Sequence, residues 1–144
     1  MKIRTDYVTN SSSSSYVIAY RNLPEFDEET LTKYPFLQHY GNLIEKVLFT
    51  EGDYDTSAGE VFRTKEEFDT FIVEEYGWKD RDAVEKIIAD DDYSEELYNT
   101  AIRCLENGFN ILEKSVDYGD SFCTNIIHSL AEDKENFIIL EECG

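Results

Sequence analysis

The hydrophobic pattern of the chain changes period several times, and each change marks an element. Tyr16 to Tyr20 is a short, unbroken apolar run of strand formers, taken as the first core strand. Phe109 to Val116 reads as a second strand, Ser121 to Ala131 as a helix and Asn136 to Glu141 as a further strand. That strand–turn–helix–strand segment is the clearest part of the chain. If its two strands were adjacent and parallel, the connection between them would be right-handed.

Helices are marked by their ends. Asp27 precedes Glu28, Glu29 and Thr30, an N-cap followed by acids in the first turn. Leu31, Tyr34 and Leu37 would face inward, Pro35 would break or kink the helix, and Gly41 would end the region. Thr64-Lys65-Glu66-Glu67 is a capping box, which predicts a helix from Lys65 to about Tyr76 with Phe68, Phe71, Ile72 and Glu75 on one face and Gly77 at its end. Asp80 or Asp82 would open a short helix with Ala83, Ile87 and Ile88 inward, stopped by Asp90-Asp91-Asp92. Ser94 caps a helix to Asn107-Gly108, with Leu97, Ala101, Cys104 and Leu105 at helical spacing. Leu43 to Thr50 fits either period and is assigned to a strand toward its end, because Val47, Leu48 and Phe49 favour one. Val61 to Arg63 reads as a short strand after an acidic loop over Glu51 to Gly59. The alternation of strands and helices predicts an α/β or α+β fold: a single small domain with one β-sheet of about four strands packed with about five helices. Residues 1–15 read as an N-terminal arm with a serine tract, and 16–144 as one acidic globular domain.

Charge changes the picture most. Thirteen Lys and Arg face 32 Asp and Glu, a formal charge of −19. Residues 1–40 contribute −1 and residues 41–144 contribute −18. Such a surface repels nucleic acid and anionic membranes and attracts cations and basic protein surfaces. No apolar run reaches the ~20 residues of a membrane span, and no signal-peptide core is present, so a soluble, cytoplasmic protein is expected. The three cysteines, Cys104, Cys123 and Cys143, are widely spaced and suggest neither a zinc site nor a disulfide framework.

The opening Met1 to Ile18, with Arg4-Thr5-Asp6-Tyr7-Val8-Thr9-Asn10 followed by Ser11 to Ser15, resembles the start of many small uncharacterised proteins of low-GC Gram-positive bacteria and their phages. The resemblance implies origin and carries no activity.

Candidate chemistry is sparse. Asp53-Tyr54-Asp55-Thr56-Ser57 begins like a calcium loop, but Ala58 and Thr64 stand where Gly and Glu are needed. Gly119-Asp120-Ser121, between a predicted strand and helix, looks like the nucleophile block of GDS-type esterases. The Asp-x-x-His that should accompany it is missing: Asn125 precedes His128 at that spacing. A helix cap accounts for Asp120 or Ser121 more simply. Cys123 and His128 are five residues apart, roughly 140° around a helix, so they point to different faces. His39 has no evident partner. No catalytic set, cofactor motif or metal-ligand set is complete.

The acids therefore supply the leading functional reading. Residues 45–96 hold 18 acids against six bases. The candidate partner-binding face comprises Glu66, Asp69, Glu74, Asp80, Asp82, Asp90, Asp91 and Asp92. Helical carboxylates three or four apart stand ~5–6 Å from one another. Phosphates are ~7 Å apart over two nucleotides of a DNA strand. The expected function is a non-enzymatic cytoplasmic binding protein that engages a basic partner surface, as a nucleic-acid mimic against a nucleic-acid-binding protein. The alternative is a small hydrolase or ligand-binding domain at the Gly119-Asp120-Ser121 turn, which requires that turn to open into a pocket with a polar residue brought from elsewhere. A third reading is self-association through the N-terminal arm.

Overall fold

The computed structural model describes residues 13–23, 27–52 and 54–143, with the side chains of residues 37 and 40–43 left aside. The motif residues 1–12 lie outside this range. Strand β1 is Ser13–Tyr20, β2 Glu60–Phe62, β3 Asn110–Asp117 and β4 Phe137–Cys143. Helices α1 Glu28–Lys33, α2 Phe36–Phe49, α3 Lys65–Tyr76, α4 Val84–Ala89, α5 Glu95–Glu106 and α6 Ser121–Leu130 complete the order. This is a single α+β domain with one four-stranded antiparallel sheet, in the order β2-β3-β1-β4.

The sheet is covered on both faces, which accounts for the unbroken apolar run Tyr16–Tyr20 in β1; β3 is buried as well, although Glu113-Lys114-Ser115 interrupt its apolar residues. Val17, Ala19 and Ile111 pack toward α3, α4 and α5 in a core rich in aromatic rings, including Phe62, Phe68, Phe71, Tyr76 and Tyr93. Tyr16, Ile18, Tyr20, Leu112 and Val116 pack toward Ile44 and Leu48 of α2 and Cys123, Ile127 and Leu130 of α6. Between β1 and β4 the register shifts at Val17/Ile18, opposite Glu141 and Ile139, so Leu140 is the extra residue of a bulge.

Several expectations are corrected. The strand expected toward the end of Leu43–Thr50 is the second half of α2, and Gly41 sits inside that helix instead of ending it. Ile44 and Leu48, four apart, point into the core, and packing against α6 decides an ambiguous pattern for helix. The expected strands of the C-terminal third are not adjacent: β1 lies between β3 and β4 and is antiparallel to both, so the two share a direction without pairing. Three residues of the serine tract belong to the sheet. Ser13 and Ser15 are buried in β1, so the ordered domain begins before Tyr16.

Smaller shifts follow the same logic. Glu75 is exposed and Tyr76 takes the inward position on α3. Tyr34 is exposed, and α1 has no buried residue. The N-cap of α4 is Ala83, not Asp80 or Asp82, with Val84 and Ile87 buried. The remaining ends agree with the sequence. Thr64 Oγ1 accepts from the Glu67 N–H at 3.1 Å, Ser94 Oγ from Leu97 N–H at 3.2 Å, and Asp27 Oδ1 from Thr30 N–H at 2.7 Å. No helix among the described residues is long and apolar enough to cross a membrane.

Candidate functional site

The eight acids expected to form one face differ in their surroundings. Asp69, half-buried on α3, accepts from the Tyr98 hydroxyl at 2.6 Å and pairs with Lys65 at 2.5 Å. Asp82 pairs with Lys86 at 2.8 Å. Arg81 reaches both Asp90 and Asp92, at 2.8 and 2.6 Å, while its guanidinium stacks 4.2 Å from the Trp78 ring centre. Glu66, Glu74, Asp80 and Asp91 are exposed and carry no ion pair among the described residues. Half of the expected face is thus tied to cations of the chain itself.

A different grouping emerges on α3. Glu67, Thr70, Phe71 and Glu74 recur at one-face spacing and, with Glu66, line a groove of about 400 Å³ against Glu60, Val61 and Phe62 of β2. Among the described residues strand β2 pairs only with β3, so this groove runs along an outer strand of the described sheet. The sequence reading missed Glu60 and Glu67. Glu67 had been spent on the cap, and its Oε1 does accept the Arg63 N–H at 2.7 Å. Its spacing from Glu74 was the available signal.

The second site is the turn before α6. Asp120 is the N-cap: Oδ1 accepts the Cys123 N–H at 3.1 Å and Oδ2 the Thr56 hydroxyl at 2.9 Å. Thr56 comes from the loop after α2, and its hydroxyl also accepts the Asp117 N–H at 3.0 Å. Beside it, Ser57 Oγ accepts the Ser115 N–H at 3.0 Å. Behind them lies Lys114, wholly buried in the middle of β3, with its ammonium donating to the carbonyls of Ser57 and Thr50. Burial holds the Lys114 amine below the usual lysine range, partly offset by the nearby Cys123 and Asp120. In the sequence Lys114 stands between Glu113 and Ser115, and that polar triplet gives no sign that the lysine is buried.

The network borders a pocket of about 330 Å³ between the end of α2, residues Thr50, Glu51, Gly52 and Thr56, and the start of α6. The turn at Gly119-Asp120-Ser121 does therefore open onto a cavity, through Asp120. Ser121 is exposed and does not line it. Cys123 does, but burial pushes its thiol up to about 11, away from the thiolate a nucleophile needs. His128 lies elsewhere: its Nε2 is 3.1 Å from Glu142 Oε2, which also accepts the Tyr16 hydroxyl at 2.7 Å. The structure does not bring Cys123, Ser121 and His128 together. Thr56 and Ser57 of the calcium-like loop turn toward β3, and among the described residues no group of His, Cys, Asp and Glu has the geometry to hold a metal ion.

Fold and sites together define a small α+β protein with an acidic outer groove and a separate enclosed polar network. No protein family, curated protein or solved structure matches the chain.

Proposed function

We propose that this chain is a cytoplasmic, non-enzymatic binding protein that receives a basic protein surface in the groove between β2 and α3, where its carboxylates stand in for a nucleic-acid backbone. The observation that carries this reading is the convergence of Glu60, Glu66, Glu67 and Glu74 on one groove in a chain of net charge −19. No Lys or Arg is among the described residues lining the groove; carboxylates gathered there repel one another, and an approaching Lys or Arg relieves that repulsion. Glu67 and Glu74 are seven residues apart, about 10.5 Å along the helix axis. Three steps of a DNA strand cover about 10 Å. Residues 1–18 resemble bacterial and phage proteins, a setting in which host nucleic-acid-binding proteins are available as targets.

The test is titration of a synthetic arginine-rich peptide into the protein at low and high salt, read by calorimetry. Binding should weaken steeply with salt. Replacing Glu66, Glu67 and Glu74 together with Gln should cost about tenfold in affinity, roughly 1.4 kcal/mol. The pair Asp80→Asn and Asp91→Asn, outside the groove, should change it little. Equal losses from both variants would show nonspecific attraction to a polyanion and sink the groove reading.

A further inference from the structure

We infer that the pocket between the end of α2 and the start of α6 binds a small zwitterion of the α-amino acid type, with an apolar side chain. This is independent of the acidic groove. The cavity, about 330 Å³, falls at the small end of the range for ligand sites. Its lining carries both signs of charge: Lys46 and Glu51 at the exposed walls and the buried carboxylate of Asp120. Neither Lys46 nor Glu51 forms an ion pair with another described residue. An ammonium group placed between Glu51 and Asp120 and a carboxylate facing Lys46 would satisfy the two signs at once.

The remaining lining fits an apolar side chain. Val47 is half-buried, and Phe122, in the first turn of α6, stands 53% exposed. A ligand side chain against these two groups removes apolar surface from water. Gly52 supplies a further observation. A Cβ built there would lie 2.7 Å from Asp120 Oδ2 and 2.8 Å from Thr56 Cγ2. The Gly52 backbone thus packs closely against Asp120 and Thr56, and any side chain there would have to displace them.

The experiment is calorimetric titration of the full chain with L-phenylalanine, with phenethylamine, which lacks the carboxylate, and with 3-phenylpropionate, which lacks the amine. L-Phenylalanine should bind at least tenfold more tightly than either fragment. Lys46→Met should remove that advantage over phenethylamine, and Phe122→Ala should weaken all three ligands. Both positions are exposed, so folding should survive, with circular dichroism as the check. Asp120→Asn is the more direct variant but removes the charge of a helix cap, so it is read only alongside the other two. Absence of heat up to millimolar L-phenylalanine overturns the proposal. So does phenethylamine binding as tightly as the amino acid, or Lys46→Met leaving the preference intact.

Discussion

Thr56 and Asp120 are joined by a hydrogen bond of 2.9 Å between side chains 64 positions apart in the chain. The same threonine hydroxyl accepts the Asp117 N–H. One side chain thus fastens the loop after α2 to both the end of β3 and the cap of α6. Thr56→Val keeps the shape and deletes both bonds, leaving a buried N–H without its acceptor. The expected cost is about 1–3 kcal/mol, measured by urea denaturation. Thr56→Ser retains the hydroxyl and should recover most of it.

Lys114 predicts a pH dependence. Its folded pKa lies below the ordinary value of 10.5, so the unfolded chain binds the proton more tightly. The stabilising contribution linked to this group is complete above 10.5 and is lost as pH falls toward and through the folded value. Relative to Lys114→Met, the unmodified protein should gain stability as pH rises toward 10.5. Parallel stability curves for the two proteins would contradict the assignment.

Cys123 has the opposite sign. Its thiol is raised from 9.0 to about 11, chiefly by burial, so stability is fully present below 9.0 and falls as pH rises toward 11. At neutral pH the native protein should react with iodoacetamide more slowly at Cys123 than at the partly exposed Cys104 and Cys143, as mass spectrometry of digests would show.

Two glycines separate crowding from backbone strain. Gly77 has an ordinary φ of −88°, but a Cβ there would meet the Val73 and Arg81 carbonyl oxygens at 2.5 Å. Gly108 has φ +87° and open space around it. Gly108→Ala should cost about 1–2 kcal/mol from the left-handed backbone alone. Gly77→Ala should cost more, since backbone atoms have to move, and its melting temperature should be the lower of the two.

The portions of the fold legible in the sequence share a physical origin. Caps at Asp27, Thr64 and Ser94 act on an N–H three residues away, so their partners stand beside them in the chain. Of the candidate sites, the sequence pointed to Asp120 as a cap and to the acids as a surface. The i,i+4 spacing of Lys65–Asp69 and Asp82–Lys86 was open to a sequence reading, whereas the pairing of Arg81 with Asp90 and Asp92 depends on how the chain turns at both ends of α4. The sequence could not show that β2 stands beside α3 and lines the Glu67–Glu74 stripe with Glu60.

By itself, the sequence determined the caps at Asp27, Thr64 and Ser94, the break at Pro35, the apolar core run of β1 and the sign of the surface. These follow from local hydrogen bonds, ring geometry and composition. Only the tertiary structure decided that Leu43–Phe49 is helix, that β1 enters between β3 and β4, and that Thr56, Lys114 and Asp120 meet. Those outcomes depend on which apolar faces find each other across long loops, and no short stretch of chain contains both partners.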